Sequence, residues 1–526
     1  MKHKYSLLFS LAALCSNCLA QSNLAIQDLN APFGWVCASS LTSGDSYTVT
    51  GGGVSTSSNT ITLKSSGSDM KATIANAIKK YNVVILDGSD GDFVISSSMD
   101  LNSLSNKTIV GINGARLCTE FYLTEEFRNA LDAANVKNLS SSSGTGGTLY
   151  KSDGVTVKTT VSEQRELVTR QTLINLTGDD DESYIKAGIF NVKSCTNIII
   201  RNIKFVGPGP CDVGGYDLIS ATGTKHLWVD HCEFTDGIDG NFDITKSSDL
   251  NSVTWCTFSY TDRAYDHMNT NLIGSSDTEA ADYLNTTMAN NIWGYKCNQR
   301  MPMARAGNIH LINNFYNCPG NSCAINPRKN SEFLIENNYF ATGVKQFSAS
   351  EALSYLFVDN YSEDTYSFSS YNSTSVPYDY LKFDVADVPS VLSATNGAGA
   401  TLSDPLVIGR SIDLPSVNSS VSYTGAEMVG VELPLYSQFL YAVSGTTSAS
   451  AVGSYSVTFS LVSPYDSWSD GSSADKVVSW SIVDSQSTSL SNAKAALAMP
   501  SKVVENGRLL IIRDGRKYNL SGSRVM

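Results

Sequence analysis

Short apolar strands alternate with polar turn positions at a regular spacing between residues 198 and 340. In each repeat one slot holds a polar or aromatic residue, and an aromatic residue follows three positions later. The slots are Asn202, His231, Trp255, Asn290, Asn313 and Asn337, and the aromatic positions are Phe205, Phe234, Phe258, Trp293, Tyr316 and Phe340. Successive slots are 29, 24, 35, 23 and 24 residues apart. This recurrence, with β-branched strands and Asn or Gly turns, predicts an all-β chain folded as a parallel β-helix.

Such a fold would place equivalent residues of successive repeats in ladders, because each coil lies about 4.8 Å above the last. Asparagine amides can then hydrogen-bond along one ladder while aromatic rings stack in another. The longer separations predict coils with loops inserted on one face, and loops often carry function. The same register puts Cys232 directly beneath Cys256. We expect two stacked buried thiols there rather than a disulfide bond.

Upstream of the repeat, the hydrophobic pattern predicts a helix and two strands. Apolar residues at Ile74, Ala77 and Ile78 give residues 69–81 the spacing of an amphipathic helix. Residues 83–88 and 106–114 are predicted strands. Residues 119–181 lack a regular pattern. We expect them to be an insertion or a long surface excursion, either bordering one end of a binding cleft or solvated without function.

The chain is predicted to contain four regions. Lys2 and Lys4 precede an apolar run at Leu7–Leu14, which is the pattern of a secretory signal peptide. Near the C-terminus a Ser/Thr-rich stretch alternates apolar and polar residues, and the final residues place two glycine turns between strand-like pieces. That tail is similar to the short tails of exported Bacteroidetes-type proteins, which serve secretion or surface retention, although any small β-hairpin would look the same. The regions are a signal peptide at 1–20, the β-helix at 21–430, a β-rich C-terminal region at 431–500 and a tail at 501–526.

The composition and charge of the chain argue against some classes of binding partner. The 526 residues carry a formal net charge of −13, and only 17% of them are charged. An acidic chain is a poor nucleic-acid binder, because phosphate binding needs a basic face. It would also repel a polyanion unless local arginines or a bridging cation reversed the field. No run after the signal peptide approaches the roughly 18 apolar residues of a membrane span. We expect an exported, monomeric protein.

Cysteine usage adds one open question. Of eleven cysteines, nine remain after the predicted signal peptide, and an odd number in an exported chain leaves at least one thiol free or in an intermolecular bond. Cys318 and Cys323 flank a turn-like Pro-Gly-Asn, so either a local disulfide or two thiols are consistent with the spacing. No paired CxxC or HxxxH motif is present, which argues against zinc.

Candidate chemistry is concentrated in three stretches, Tyr216–Phe234, Asp239–Arg263 and Gln299–Tyr316. Hard cations prefer carboxylate oxygens, and three carboxylates from neighbouring coils can converge on one ion that keeps positions open for a ligand. Guanidinium groups beside them would hold an anion. The pattern predicts a calcium-assisted site for an anionic ligand. Its candidate residues are Asp217, Asp239, Asp243, Arg263, Arg300 and Arg305.

Three motifs occur in order within these stretches. Asp217–Ser220 leads into Trp228–His231, and Asp239–Ile244 reads DGNFDI. The third motif is built from Arg300, Pro302, Arg305, Gly307 and His310. In this order, on a coil repeat of this kind, they resemble the polysaccharide lyase family 1 pectate lyases, which are right-handed parallel β-helix enzymes. The resemblance covers roughly residues 198–340.

The resemblance implies a secreted, calcium-dependent pectate lyase. Its substrate would be α-1,4-linked polygalacturonate, cleaved by β-elimination to 4,5-unsaturated oligogalacturonides. By the same resemblance, Arg300 matches the proposed base and Arg305 the partner of a substrate carboxylate. A guanidinium normally stays protonated, so Arg300 either acts with a strongly lowered pKa or stabilises charge while hydroxide abstracts the proton. The calcium ligands carried over are Asp217, Asp239 and Asp243.

Three features depart from the family pattern. Arg263 stands where the family usually has lysine, which keeps the charge but widens the donor group. Gly215 occupies a position that is a further carboxylate in some members. About six extra residues, 264–269, follow Arg263 and lengthen the predicted cleft wall. Trp228, Asp230 and His231 of the second motif are interpreted as scaffold.

Other functions remain open at this stage. A pectin lyase acting on methyl-esterified chains would not need the three aspartates. A non-catalytic, polysaccharide-binding β-helix would fit the fold but would leave the arginines without a reason. A glycoside hydrolase on the same fold would need a proton donor and a base, and Asp239 with Asp243 could supply them.

Overall fold

The computed structural model describes residues 31–40, 43–45, 47–378, 380, 382–434, 437, 440–484, 501–513 and 515–525. The predicted signal peptide lies outside these residues, as does the end of the predicted 431–500 region. The chain forms two compact units, one ending at Arg410 and the other beginning at Ser411. In the part of the chain that the structure describes, no helix is long and apolar enough to cross a membrane.

The first unit is a parallel β-helix, which confirms the predicted fold class. Its coils pass through three faces, A, B and C, and every pairing within them is parallel. Faces A and B share one 15-stranded sheet, because two long strands run through both.

Face A contains Thr60–Lys64, Val83–Asp87, Ser105–Ile112, Thr196–Arg201, Lys225–Asp230, Asn251–Thr254, Thr286–Ala289 and Ser354–Val358. Face B contains Met99–Asn102, Phe190–Lys193, Ile219–Thr222, Phe242–Thr245 and Leu272–Ile273. The long strands shared by A and B are Met303–Ile312 and Asn326–Glu336. Face C contains Phe93–Ile95, Arg116–Thr119, Lys204–Val206, Glu233–Thr235, Thr257–Ser259, Ile292–Trp293, Phe315–Tyr316, Tyr339–Phe340 and Tyr361–Ser362.

The aromatic residues of the repeat stack inside the coils, as predicted. Ring centroids of consecutive members lie 4.6–5.6 Å apart, with interplanar angles of 10–17°. All six rings are fully buried. Each stacked pair adds about 0.5–1.5 kcal/mol beyond the burial of its surface, so the ladder both fills the core and favours this register.

The polar slots of the repeat occupy the corner between faces A and C. All six have positive φ values, from 46° at His231 to 59° at Asn290. Asparagine adopts this left-handed conformation more readily than most residues, and the amides bond along the stack, with Asn337 Nδ2 donating to Asn313 Oδ1 at 2.8 Å. The next position forms a second asparagine ladder that the sequence analysis missed. Its members are Asn291, Asn314, Asn338 and Asn360.

The N-terminal end of the β-helix is covered by the predicted helix, which spans Lys71–Lys80. Its apolar residues Ile74, Ala77 and Ile78 are buried against the first coils. The Asp69 carboxylate, one position before the N-cap residue Met70, accepts a hydrogen bond from the Lys71 amide at 2.9 Å. The helix prediction is confirmed.

Residues 119–181 are more ordered than a solvated loop. They contain the helices Glu125–Ala133 and Gln164–Thr177 and an antiparallel hairpin, Gly147–Tyr150 with Val157–Val161. Their apolar side chains form a separate small core with residues from the β-helix turns. The expectation of a purely solvated segment is therefore wrong, because buried apolar contacts hold this insertion on the β-helix. The core residues are Leu123, Leu131, Val136, Leu173, Tyr184, Cys211, Val213, Ile238 and Tyr265.

A buried charge cluster secures the segment that follows the coils. Asp230 accepts hydrogen bonds from Arg201 Nε at 2.8 Å and Thr254 Oγ1 at 2.7 Å, and His231 Nδ1 lies 2.7 Å from the same carboxylate. Arg201 Nη1 donates to the carbonyl groups of Pro405 and Val407. Burial opposes ionisation of Asp230, but the charges of His231 and Arg201 and the hydrogen bonds outweigh it and lower the pKa. The scaffold interpretation of Asp230 and His231 is confirmed.

The second unit begins earlier than the predicted boundary at residue 431. Ser411–Ile412 pairs with Ser467–Trp468, and Ile412 packs with Trp468 and Trp480 in the core of this unit. The tail is a four-stranded antiparallel sheet, which fits the predicted strands and glycine turns. Other strands are Ser420–Ser422, Met428–Val429, Tyr441–Gly445, Ser448–Ala449, Gly453–Leu461, Lys476–Val483, Ser501–Glu505, Arg508–Arg513, Arg516–Tyr518 and Arg524–Val525.

The eight cysteines from Cys118 to Cys323 are free thiols in the described part of the chain. The Cys232 amide lies 3.5 Å from Cys256 Sγ, and both side chains are fully buried. The predicted pair of stacked thiols is confirmed. Cys318 and Cys323 form no disulfide, which resolves the open alternative in favour of thiols.

We predict that Asp230→Asn destabilises the β-helix by about 3–5 kcal/mol, because it leaves the Arg201 guanidinium buried without its carboxylate. Urea unfolding followed by circular dichroism measures the effect. Asp262→Asn is the matched control, since Asp262 is exposed and pairs with Lys296 at the surface. A loss below about 1 kcal/mol for Asp230→Asn would contradict a structural role for this pair.

Candidate functional site

Face B positions the predicted carboxylates through its alternation of inward and outward side chains. Phe242 and Ile244 point into the core, so Asp243 between them points outward. Ser220 is the register partner of Asp243 on the preceding rung. Asp217 lies in the turn that enters that same rung. The period of two along a strand and the parallel register together bring Asp217 and Asp243 to one place.

The two carboxylates converge on the backbone of Gly240. A Cβ atom at Gly240 would lie 2.6 Å from Asp217 Oδ1 and 3.3 Å from Asp243 Oδ1. Asp217 Oδ2 accepts a hydrogen bond from Ser220 at 2.7 Å. Asp217 Oδ1 is buried and has no hydrogen-bond partner among the residues that the structure describes. A carboxylate oxygen in this condition is costly unless a cation or ligand satisfies it.

Burial and like charge raise the pKa of both groups. Burial raises the pKa of Asp217 well above its usual value, the charges of Asp243 and Asp239 add to the rise, and Ser220 and Arg300 oppose it. Burial raises the pKa of Asp243 to about 7, against the opposing charge of Arg300. The Leu272 amide also donates to Asp243 Oδ1 at 2.9 Å. The pair therefore favours a proton or a cation at this point.

The third predicted ligand, Asp239, is engaged by a histidine that the sequence analysis did not identify. His267 Nε2 lies 2.8 Å from Asp239 Oδ1, and its Nδ1 lies 3.9 Å from Asp212 Oδ1. Burial lowers the pKa of His267, but the hydrogen bond to Asp239 and the charges of Asp239 and Asp212 outweigh it, so the pKa lies above its usual value. His267 belongs to the extra residues 264–269. Their position after Arg263 was the available signal for a contact with the site.

Arg300 and Arg305 are the positively charged residues predicted for the site. Within the described part of the chain, the Arg300 guanidinium makes no hydrogen bond or ion pair, yet its charge lowers the pKa values of Asp217 and Asp243. Arg305 is on the long strand Met303–Ile312, where burial lowers its pKa and the charges of Arg328 and Arg300 lower it further. The structure thus places Arg300 within electrostatic range of Asp217 and Asp243, and Arg305 within electrostatic range of Arg300.

Arg263 is placed in a separate ion pair. Its Nη2 and Nε lie 2.9 and 3.1 Å from Asp236 Oδ2, and its guanidinium lies over the Tyr122 ring at 4.9 Å from the centroid. Asp236 is fully buried and also accepts two hydrogen bonds from Thr261. The contacts of Arg263 are therefore with the scaffold and the 119–181 insertion, and a catalytic role for this residue stays a prediction.

The donor set fits a hard cation in part. Asp217 and Asp243 aim at one space, and a cation there would satisfy the orphaned Asp217 oxygen and remove the like-charge repulsion. Among the described residues, no three acidic, histidine or cysteine side chains already enclose a metal position, and Asp239 Oδ1 contacts His267. Calcium takes six to eight oxygen ligands, so two carboxylates would leave most positions to Asp239, water and an anionic ligand.

Comparison with known proteins points to one family. A family model described as pectate lyase matches residues 122–391, which is 270 of the 526 residues. A pectate trisaccharide-lyase of a Thermotoga species is 38% identical over 150 residues, which cover 27% of this chain and 39% of that protein. Pectate lyase A of Emericella nidulans is 29% identical over 259 residues, which cover 47% of this chain and 75% of that protein. A solved pectate lyase II of Xanthomonas campestris covers 71% of this chain and 100% of its own, with a TM-score of 0.42 and 17% identity.

We predict that Asp217→Asn does not destabilise the chelator-treated protein at pH 8 and raises its free energy of unfolding by about 1 kcal/mol. When folding raises the pKa of a carboxyl group, the free energy of unfolding of the protein falls as the pH rises from the unfolded pKa through the folded pKa. Asparagine does not titrate, so the variant has no such loss. Thermal unfolding with and without EDTA measures this, with Asp262→Asn as the surface control. A fall of more than about 1 kcal/mol would contradict the like-charge pair.

Proposed function

The chain belongs to the pectate lyase family, and on that premise we propose that it cleaves α-1,4-linked polygalacturonate by β-elimination in a calcium-dependent reaction. The observation that carries the proposal is the Arg300 guanidinium, which has no protein partner in the described structure and lies beside the buried pair Asp217 and Asp243. The Asp217 carboxylate lacks a partner for one oxygen and could bind a cation, while the Arg300 guanidinium could bind an anionic group. Such a site suits an anionic substrate that binds together with a cation.

The proposed reaction removes a weakly acidic hydrogen. The C5 proton of a galacturonate leaves to a base, the C5 electron pair forms the C4–C5 double bond, and the C4–O4 bond breaks. The released O4 takes up a proton, so the products are a chain end with a hydroxyl group and one with a 4,5-unsaturated sugar. When bound, calcium would draw charge from the substrate carboxylate next to C5 and so acidify that proton.

The chain's own residues supply position and charge. Arg305, on the strand Met303–Ile312, would hold a substrate carboxylate through its guanidinium group. Arg300 is assigned to the C5 proton, as base or as the charge that stabilises the carbanion while hydroxide acts. Burial of Asp217 and Asp243 strengthens these electrostatic interactions, because the surroundings are less polarisable than water.

The proposal includes export and a monomeric state, which rest on the sequence pattern of residues 1–20 and on composition. Asp217 and Asp243 would hold the calcium ion, and Asp239 would be its third carboxylate ligand. A surface-retention role for the tail 501–526 belongs to the same proposal.

We predict that the purified protein produces ultraviolet-absorbing unsaturated products from polygalacturonate, and that EDTA abolishes this absorbance until calcium is restored. The absorbance arises because β-elimination creates a double bond conjugated with the carboxylate. Reducing ends without absorbance would indicate hydrolysis, and preference for methyl-esterified pectin without a calcium requirement would indicate a pectin lyase. Binding without turnover would indicate a non-catalytic module.

We predict that Arg300→Lys lowers kcat at least 100-fold while the dissociation constant for oligogalacturonate changes less than about threefold, because the charge remains but the donor group is lost. Initial rates and calorimetric titration measure the two quantities. Arg116→Lys, in an exposed pair with Asp92, serves as the control. An unchanged kcat would remove Arg300 from the chemical step.

A further inference from the structure

Arg305 is held by a loop that no part of the sequence analysis assigned to the site. Arg305 Nε donates to Asp277 Oδ1 at 3.0 Å, and Arg305 Nη1 donates to the Gly274 carbonyl at 3.0 Å. Its Nη2 has no hydrogen-bond partner among the described residues. Two of the three guanidinium nitrogens are therefore fixed by residues 274–284, and the third is left for a ligand.

The loop is seated closely enough to set that position. Gly274 has φ +84°, and a Cβ there would lie 3.3 Å from Arg305 Cβ. Gly307 has φ +87°, and a Cβ there would lie 2.6 Å from the Tyr283 carbonyl. The loop therefore packs tightly on the Arg305 strand at Gly274, and at Gly307 the Tyr283 carbonyl comes too close for a side chain. Within the loop, Glu279 Oε1 accepts a hydrogen bond from the Ser275 amide at 3.1 Å.

Asp277 counteracts the repulsion between Arg305 and the neighbouring arginines. The charges of Arg328 and Arg300 act against the protonated guanidinium of Arg305, and Asp277 acts in its favour. Asp277 Oδ2 also lies 3.7 Å from Lys329 Nζ. Among the described residues, Asp277 is the one carboxylate that bonds to Arg305. A long side chain next to two like charges would otherwise have many orientations of similar energy.

Asp277 is an unexpected residue for a cleft that takes a polyanion. Its side chain is half exposed and bonds to Arg305, so it places a negative charge next to the arginine proposed to bind the substrate. Exposed charges interact over about 8 Å at physiological ionic strength. A residue with only an electrostatic effect at this place would weaken substrate binding. Its hydrogen bond with Arg305 Nε fixes the position of the guanidinium group, and this effect would strengthen substrate binding.

We propose that Asp277 is the positioning residue of the substrate-binding arginine: it fixes the Arg305 guanidinium through Nε so that Nη2 is presented to a uronate carboxylate. The inference rests on the proposed function, because it takes a galacturonate carboxylate as the ligand of Arg305. Asp277 does not touch the substrate, and its effect passes through Arg305.

The test combines three variants with the wild-type protein. Asp277→Ala removes the acceptor, Asp277→Asn keeps an oxygen acceptor without the charge, and Arg305→Ala removes the group being positioned. Asp262→Ala is the matched control, because Asp262 is an exposed aspartate with a cationic partner outside the site. The readouts are KM and kcat on polygalacturonate, the dissociation constant of tetragalacturonate by calorimetry, and the thermal midpoint.

For Asp277→Ala we expect KM and the dissociation constant to rise about tenfold, with kcat within about threefold of wild type and an unchanged thermal midpoint. Asp277→Asn should recover most of the affinity, since the Nε bond can still form. In the Arg305→Ala background, Asp277→Ala should have no further effect. The purely electrostatic alternative predicts the opposite sign, namely tighter binding for both Asp277 variants.

Unchanged or tighter binding in Asp277→Ala would overturn the proposal, as would a full additional loss in the double variant. The calorimetric measurement does not depend on turnover. If the wild-type protein binds tetragalacturonate without cleaving it, the proposed reaction fails while the test of Asp277 still gives a result. If Asp277→Ala folds poorly, Asp277→Ser, whose shorter side chain does not reach Arg305 Nε, takes its place and is judged by the same criterion.

Discussion

The buried meeting of Asp217 and Asp243 is the constraint on which the site depends. Burial raises the pKa of both carboxyl groups, and like charge adds to it, from Asp243 and Asp239 at Asp217 and from Asp239 at Asp243. Such an arrangement persists only where the scaffold imposes it and where something gains from it. Gly240 leaves the space open, since a side chain there would meet both oxygens. A divalent cation is the simplest group that would relieve the repulsion and fill that space.

The parallel register is what imposes this meeting. Each rung repeats the one before it, so residues on neighbouring turns and strands of face B are brought together without any local sequence contact. The aromatic ladder inside and the asparagine ladders at the corner fix the register from within. The Arg201–Asp230–His231 cluster then ties the segment near Pro405 to the coils. The coils thereby support the paired carboxylates, and Arg305 is held by its hydrogen bonds to Asp277 and to the Gly274 carbonyl.

The fold and most of the candidate site residues could be predicted from the sequence, because equivalent positions of the repeat carry residues of the same type. The spacing of Phe234 and Phe258 indicated both the fold and the inward ladder, and the motif order indicated Asp217, Asp243, Arg300 and Arg305. Contacts made by loops could not be predicted in the same way, since a loop has no period. His267 on Asp239, Asp277 on Arg305 and Asp236 on Arg263 all come from such segments or turns, and they change what three of the predicted residues do. The ordering of residues 119–181 was missed for a related reason: its core is shared with distant turns such as the one at Ile238.

Calcium titration by isothermal calorimetry at pH 8 tests the central claim most directly. The account predicts one tight site in the wild-type protein that is lost in Asp217→Asn and in Asp243→Asn separately, because each supplies an oxygen to the same point. Calcium binding of undiminished affinity in both variants would show that the two carboxylates do not share a cation, and the proposed basis of the site would be contradicted.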